Sequence, residues 1–468
     1  MLFSSATFLF AFLPVVALLY YLIPKRCTAA RNLFLTGASL LFYAWGEPRF
    51  VLVMLLVIVS SWLFARKIEA SAKSARKGFL LVAVSVDLTV LFVFKYLGFF
   101  TENLNRLPFV RLPVPQITLP IGISFFTFQA ISYVVDVYRG EAAQKSLWDV
   151  MLYIAFFPQL IAGPIVRYSD FADQIHNRQE SLQNWNRGGY RFAIGLGKKV
   201  ILSNNLAYVA DAAFSSVGNL SFSMAWIGAV GYSLQLYFDF SGYSDMAIGL
   251  GQMFGFHFLE NFNYPFISRS ITELWRRWHI SLGSWFRDYV YIPLGGSRCR
   301  LRRTSLNLLI VFALTGLWHG AAWQYVVFGL LHGIILCMER LGLRRALEQL
   351  PRLFRHLYTV VLLWLTLVIF GAPGLSEGLA VLKGIFTWQS GAKGYTLAAF
   401  ADTKLLLILA ASFLLCGPVQ ALCPKLKAAL YAKKAPSPAG MAGLLVLLFL
   451  GLMRVTAGTY SAFIYFQF

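Results

Sequence analysis

Apolar stretches long enough to cross a membrane recur along the whole chain, separated by short polar segments. A spanning α-helix needs about 20 mostly apolar residues. The pattern predicts helices at about 7–23, 32–46, 50–65, 79–97, 119–137, 190–213, 223–254, 305–318, 322–341, 357–373, 402–422 and 438–456. We therefore expect an all-α, polytopic transmembrane helical bundle, with about 11 spanning helices in one domain over residues 1–468.

Three segments depart from this pattern. The apolar stretch 150–165 contains two prolines and a glycine, which break helices, so we expect a re-entrant element there. The segment 305–341 starts and ends among arginines, which predicts a hairpin with its tip near 315–323. In 268–303, aromatic residues alternate with arginines, as is typical of helices lying at a membrane interface.

Lysine and arginine collect in alternate loops, namely 24–31, 66–77, 269–303, 340–355 and 425–434. By the positive-inside rule these loops are cytoplasmic. The first apolar stretch lacks a basic start and a small-residue cleavage site, so we expect an uncleaved helix. The pattern predicts a multi-pass membrane protein with its N-terminus outside.

Composition supports a membrane protein and weighs against two other classes. The chain is 58% hydrophobic and 13% charged, whereas soluble domains carry about 25% charged residues. The net charge of +21 would suit nucleic-acid binding, but the basic residues lie in short loops, which topology explains. We expect no nucleic-acid partner. The five cysteines show neither zinc-ligand spacing nor a disulfide pattern.

His319 is the leading candidate for chemistry. It occupies the predicted hairpin tip, between Trp318 and Gly320. The 14 residues of the predicted first arm rise only about 21 Å, so the tip lies inside the hydrocarbon layer of roughly 30 Å or near its far face. Ionisable side chains at that depth usually face a cavity or a partner, and histidine suits general-base catalysis near neutral pH. The alternative is a hydrogen-bonded packing histidine.

Further polar residues lie in the interfacial segment and in the predicted helix 223–254. His279 is a second candidate, although a histidine at an interface is unremarkable, and His332 is expected to support or pack. Asp239 and Asp245 would orient a histidine or form ion pairs with the arginines of 268–303. The supporting or tunnel-lining candidates are Gln235, Tyr237, Asp239, Asp245, Arg276, Arg277, Trp318 and His332. No residue set has metal-ligand spacing, so we expect no metal.

Several motifs, in this order along the chain, resemble the membrane-bound O-acyltransferase family, and within it the bacterial membrane subunits of alginate O-acetylation. The resemblance runs from Met1 to at least residue 345. Its motifs are Leu-Pro-Ile-Gly-Ile-Ser-Phe-Phe-Thr-Phe at 119–128, Phe-Pro-Gln-Leu-Ile-Ala-Gly-Pro at 157–164, Gln-Leu-Tyr-Phe-Asp-Phe-Ser-Gly-Tyr-Ser-Asp-Met-Ala at 235–247, Trp-Arg-Arg-Trp-His-Ile-Ser-Leu at 275–282, Phe-Arg-Asp-Tyr-Val-Tyr-Ile-Pro-Leu-Gly-Gly at 286–296 and Leu-Trp-His-Gly-Ala at 317–321.

The resemblance implies a bundle that is thin at its centre, with a funnel leading to a catalytic histidine. The histidine of the family's Trp-His-Gly motif maps onto His319. A second position, which is Asn or His in the family, maps onto His279. The implied donor is an acyl thioester such as acetyl-CoA, and no cofactor is held. The implied partners are membrane lipid, a polysaccharide acceptor and an extracytoplasmic hydrolase-like acetyltransferase.

Two other functions stay open at this point. A D-alanyl transferase of teichoic acid modification shares the Arg-Arg-Trp-His and Trp-His-Gly motifs but takes its donor from a carrier protein. The long N-terminal match and the Phe-Ser-Gly-Tyr-Ser-Asp stretch favour acetyl transfer instead. A polysaccharide transporter or flippase is the alternative from another class, because transporters also use broken helices and polar sites at membrane depth.

Overall fold

The computed structural model describes residues 1–215, 220–388, 390–391, 396–423, 438–456 and 463–464, and over these residues it is all-helical with no β-strand. This confirms the predicted fold class. The basic loop expected at 425–434 lies outside the described residues. Contacts between Cα atoms divide the chain into two compact units, residues 1–189 with 247–259, and residues 190–246 with 260–468. The expectation of a single functional domain stays a prediction.

The first unit consists of amphipathic and apolar helices, with a long irregular connection at residues 105–122. Its helices of eight or more residues that lie wholly within it are Leu13–Leu22, Thr28–Ala44, Val51–Ala70, Lys73–Leu91, Leu97–Leu104, Ile123–Arg139 and Leu147–Ala155. π-Helical turns, Phe8–Phe12 and Phe92–Tyr96, continue two of them. The expected break in 150–165 falls at Phe156, where the backbone leaves the helix before the short helix Phe157–Leu160. Residues 150–166 are all buried, as broken backbone at membrane depth requires.

The second unit contains the residues to which the sequence assigns chemistry. Two helices, Leu182–Gly197 and Phe222–Met253, are shared by both units. The remaining α-helices of four or more residues are Asn204–Ser215, Ile271–Trp275, Ile280–Phe286, Leu301–His319, Trp323–Met338, Arg344–Gln349, Arg352–Gly371, Leu375–Phe386, Leu397–Phe400, Thr403–Leu415, Pro418–Leu422 and Pro438–Thr456. Buried apolar side chains from many of these helices form one continuous core.

Within the described residues, five helices are long and apolar enough to cross a membrane by length and composition. They are Val51–Ala70, Lys73–Leu104, Trp323–Gln349, Arg352–Gly371 and Thr403–Leu422. Other segments predicted to span, including 223–254 and 305–318, are helical but do not meet that criterion. The helices therefore agree with a multi-pass membrane protein, while the predicted count of about 11 spans stays a prediction.

The predicted hairpin is present and its first arm is longer than expected. Helix Leu301–His319 and helix Trp323–Met338 form its two arms, which we call the hairpin. A helix of 19 residues rises about 28 Å, close to the thickness of the hydrocarbon layer. The arms come together at two glycines, because a Cβ on Gly316 would collide with the backbone of Tyr325 and a Cβ on Gly329 with that of Phe312.

Candidate active site

The two candidate histidines lie at the ends of two different helices and meet inside the second unit. His319 is the last residue of the first hairpin arm, and the chain turns extended at Gly320. His279 precedes helix Ile280–Phe286. Their ring centroids are 6.3 Å apart, although the residues are forty positions apart in the sequence. Both side chains are buried. The structure therefore brings together the two histidines that the sequence singled out.

His279 has an unusual backbone conformation. Its φ of 47° and ψ of 52° lie in the left-handed region, which non-glycine residues seldom adopt. The flanking backbone fixes this turn, because the Asn263 amide donates to the Arg277 carbonyl at 2.8 Å and the Ile280 amide donates to the Asn261 carbonyl at 2.9 Å. The turn directs the imidazole into the protein, where it lies against Phe240 at a centroid distance of 4.6 Å.

A buried asparagine determines which nitrogen of His279 carries the proton. The side-chain oxygen of Asn261 accepts hydrogen bonds from the Ser281 amide at 3.2 Å and the Ser281 hydroxyl at 2.9 Å. The backbone amide can only donate, so this atom is the oxygen. It lies 3.2 Å from His279 Nδ1, which must therefore carry the hydrogen. The Asn261 amide nitrogen in turn donates to Ser244 Oγ at 3.0 Å.

This arrangement leaves Nε2 of His279 as a lone-pair acceptor. Nε2 is buried and has no hydrogen-bond partner among the residues that the structure describes. Burial lowers the pKa of His279 well below its usual range, and the nearby His319 acts in the same direction. The ring is therefore neutral at pH 7, and its Nε2 is available to accept a proton or a hydrogen bond.

Aromatic rings surround the histidine pair. The Trp318 ring lies 5.8 Å from His279 and 5.1 Å from His319, measured between centroids. Phe370 packs edge-on against His319 at 5.1 Å. Such an apolar surrounding lowers the local dielectric and strengthens any hydrogen bond made by a reacting group. Trp318, expected to line a tunnel, thus contacts both histidines.

A cavity of about 500 Å³ has His279 in its wall, and we call it the His279 cavity. Its charged members are Arg276 and Arg287, and both arms of the hairpin contribute side chains. The rest of the lining is mostly apolar and includes Trp275, Phe286, Val311 and Phe312. The volume lies in the range of about 300–1,000 Å³ that is usual for small-molecule sites. A largely apolar ligand with a polar end suits this lining.

The two carboxylates of helix Phe222–Met253 have partners other than the expected arginines of 268–303. Asp239 is paired with Lys199 and accepts from Ser203 Oγ at 3.1 Å and the Ile464 amide at 2.8 Å. Asp245 accepts from Lys198 at 2.6 Å and from Arg191 at 2.9 Å. Buried carboxylates need such partners. Both therefore anchor the segment 191–203 to the long helix, and neither is bonded to a histidine.

The remaining predicted site residues fall into structural and cavity roles. His332 accepts from Trp275 Nε1 at 3.1 Å, and its other ring nitrogen lies 3.0 Å from Thr366 Oγ1, so it braces the hairpin. Arg277 is paired with Glu273, while Arg276 lines the His279 cavity. Tyr237 packs against Phe266 and Trp278, outside that cavity. Gln235 is buried, and its Oε1 accepts no hydrogen bond within the described chain.

Asn261 could not be predicted from the sequence. It lies in an irregular segment between helices, where neither periodicity nor a motif marks it. Lys198 and Lys199 were also missed. They interrupt an otherwise apolar stretch, but the sequence does not show that they lie in the π-helical turn Lys198–Ser203, beside the two carboxylates. π-Turns inside helices often occur at functional sites, but they cannot be read from sequence. Across the described residues, no three His, Cys, Asp or Glu side chains converge as metal ligands would.

The helical fold agrees with a multi-pass membrane protein, and the comparisons with known proteins establish its family. Residues 123–372 match the sequence model of the MBOAT, membrane-bound O-acyltransferase family. The chain belongs to this family and is an acyltransferase. The matched region contains both candidate histidines.

Individual relatives narrow the branch. The chain is 40% identical over the full length of both proteins to a probable alginate O-acetylase, AlgI, of Azotobacter vinelandii. It is 46% identical to the AlgI of Pseudomonas aeruginosa over 83% of this chain and 76% of that protein. It is also 36% identical to a peptidoglycan O-acetyltransferase of Helicobacter pylori over 82% of this chain and 80% of that protein. The expected resemblance to bacterial alginate O-acetylation subunits is confirmed.

Proposed function

We propose that the chain moves acetyl groups from a cytoplasmic acetyl thioester across the bacterial inner membrane, for O-acetylation of an extracytoplasmic polysaccharide. The observation that carries the proposal is the meeting of His319 with a neutral, oriented His279 beside a cavity of about 500 Å³. Full-length similarity to probable alginate O-acetylases supports the acetyl group and the polysaccharide acceptor.

In the proposed reaction, His319 is the general base. It removes the proton from the acceptor hydroxyl as the hydroxyl oxygen bonds to the thioester carbonyl carbon. The carbon–sulfur bond then breaks, and the proton passes from His319 to the leaving thiolate. The products are the O-acyl ester and the free thiol, so neither an oxidant nor a metal is required. Holding both reactants beside one base removes much of the entropic barrier.

His279 positions the donor in this proposal. Its cavity accommodates the thioester arm, and its Nε2 accepts a hydrogen bond from that arm or from the acceptor. Because Asn261 holds the hydrogen on Nδ1, a neutral His279 has no N–H left to polarise the carbonyl. We therefore propose that His279 positions the donor and does not polarise the carbonyl.

The donor side is proposed to be cytoplasmic because the arginine-rich segment 269–303 forms the wall of the His279 cavity. We propose acetyl-CoA as the donor, since a basic surface attracts its phosphates. A hydrolase-like acetyltransferase outside the membrane would receive the acetyl group and complete the transfer to the polysaccharide.

The test uses a strain in which the gene is deleted and then replaced by variants. We expect His319→Ala and His279→Ala each to lower base-labile acetate on surface glycans by about 100-fold or more. His257→Ala is the matched control, because His257 is exposed and lies in the other unit. Immunoblots of membrane fractions establish equal insertion. Normal acetate with His319→Ala would refute the catalytic assignment, and loss of ester-linked D-alanine rather than acetate would indicate the D-alanyl branch.

A further inference from the structure

A second cavity in the same unit has a strongly basic wall. It measures about 430 Å³, and we call it the arginine cavity. Five arginines line it, namely Arg269, Arg276, Arg277, Arg344 and Arg355. They come from the segment around helix Ile271–Trp275, from helix Arg344–Gln349 and from helix Arg352–Gly371. Arginines that converge from three parts of the chain create a positive potential, which favours the binding of an anion.

The acidic residues of this wall form ion pairs with only two of the five arginines. Glu273 is paired with Arg277 at 2.8 Å, and Glu348 is paired with Arg344 at 2.9 Å. The side chains of Arg269, Arg276 and Arg355 form neither an ion pair nor a hydrogen bond with any described residue. Nε of Arg355 is buried without a partner in the described chain. Three arginines thus line the cavity without a partner in the described protein; Arg269 and Arg276 are exposed to solvent, and Arg355 is half-buried.

The arginine cavity adjoins the His279 cavity. Thr272 and Arg276 line both of them, so one turn of helix Ile271–Trp275 forms the wall that they share. That wall is held firmly, because Glu339 accepts hydrogen bonds from the Ile271 amide at 2.7 Å and the Thr272 amide at 2.8 Å. A single ligand with an anionic head and an extended arm could occupy both cavities.

We propose that the arginine cavity binds the phosphate groups of the acyl donor while its thioester arm lies in the His279 cavity. This rests on the proposed function for the identity of the donor. Arginine presents a planar fork of N–H donors that matches phosphate oxygens, and such charge-assisted hydrogen bonds are the strong ones. Each cavity binds a different part of the donor. The phosphates provide affinity on one side of the shared wall, and the thioester lies beside His279 on the other.

The anionic headgroup of a phospholipid carries the same chemistry and is the rival occupant. The wall that the two cavities share favours the donor, because binding of a lipid headgroup would not require the arginine cavity to lie beside the His279 cavity. A donor must reach that histidine with its thioester, whereas a lipid needs only the phosphate contact.

The test measures binding by isothermal titration calorimetry, with the full-length protein in phosphatidylcholine nanodiscs. The probes are coenzyme A and pantetheine, which lacks phosphate. We expect Arg269→Gln/Arg355→Gln to raise the Kd of coenzyme A at least about tenfold, because charge-assisted hydrogen bonds are lost, and to leave pantetheine within about twofold. Arg345→Gln/Arg352→Gln is the matched control, since both arginines are exposed and outside the cavity, and it should bind coenzyme A like the unaltered protein.

Each other outcome is decisive. An unchanged Kd for coenzyme A, or equal weakening for both probes, would overturn the proposal. Weaker retention of phosphatidylglycerol by the purified variant, with coenzyme A binding intact, would assign the cavity to a lipid headgroup instead. If the double variant fails to fold, the unaltered protein decides, because added salt should weaken coenzyme A far more than pantetheine.

Binding of coenzyme A involves no turnover, so this proposal and the proposed function fail separately. Normal glycan acetate with His319→Ala would remove the proposed mechanism, while weakened coenzyme A binding in the arginine variant would still establish the phosphate site.

Discussion

At the scale of single residues, the site depends on a side chain that does no chemistry itself. Asn261 offers one oxygen to two donors of Ser281 and to His279 Nδ1. Replacing it leaves buried donors without an acceptor, at a cost of about 1–3 kcal/mol each, and frees the imidazole to change tautomer. His279 therefore depends on its neighbour for orientation as much as on its own identity.

We predict that Asn261→Ala lowers kcat for acetyl transfer about 10–100-fold while the protein still inserts. Asn261→Asp keeps the acceptor and adds a negative charge, which raises the pKa of His279. The neutral form is then lost at a higher pH, so the acid limb of the pH profile of kcat should move upward with that variant. A purely structural role would lower activity without moving the limb, and an unmoved limb would argue against an acceptor role for His279.

The sequence identified His319 and His279 as candidate site residues, but it could not predict that their rings lie close together. His319 was identifiable because it is an ionisable residue at a hairpin tip. The closeness of the two rings depends on the left-handed turn at His279 and on the path of residues 261–263. Neither feature produces a hydrophobic periodicity that could be recognised in the sequence. Likewise, the ion-pair partners of Asp239 and Asp245 lie 40–54 residues earlier in the chain, and only the fold determines such pairings.

At the scale of secondary-structure elements, the hairpin positions His319. Gly316 lies one turn before His319, where the second arm approaches so closely that no side chain fits. Gly329 plays the reciprocal role on the second arm. Hydrophobic periodicity predicted both helices, but their closeness follows from glycines on facing surfaces.

We predict that Gly316→Ala pushes the arms apart, lowers acetyl transfer at least about tenfold and lowers the unfolding temperature, since overpacking costs about 1–3 kcal/mol. Gly37→Ala is the control, because a Cβ there meets nothing within 4 Å and alanine favours a helix. Activity in nanodiscs and thermal unfolding measure the two effects. If Gly316→Ala behaves like the control, the close approach of the arms is not what positions His319.

At the scale of the whole molecule, the excess of 41 lysines and arginines over 20 acidic residues is distributed by loop. The same arginines serve two purposes in our interpretation. They set the orientation in the membrane, and a subset around helix Ile271–Trp275 forms the arginine cavity. Sequence alone supports the first purpose, because the positive-inside rule needs only a count per loop. The second requires contacts between residues far apart in the chain.

The orientation is testable with a membrane-impermeant maleimide on spheroplasts. Cys27 is exposed in a loop predicted to be cytoplasmic, so as the sole cysteine it should react only after permeabilisation. In a cysteine-free background, Ser376→Cys places an exposed thiol at the start of helix Leu375–Phe386. This position follows the predicted span 357–373, which leaves the cytoplasmic loop 340–355, so the thiol should react in intact spheroplasts. The reverse labelling pattern would invert the topology and place the arginine cavity outside.

The left-handed backbone at His279 also limits the residues that evolution or an engineer can place there. Apart from glycine, asparagine, aspartate and histidine adopt this conformation more readily than other residues, and β-branched residues scarcely adopt it. The family resemblance allows Asn or His at this position, and both belong to that short list. The backbone conformation thus limits which residues position 279 accepts, independently of catalysis. In a library of substitutions at this position, most variants would be lost because they do not fold, and only the remainder would differ in activity.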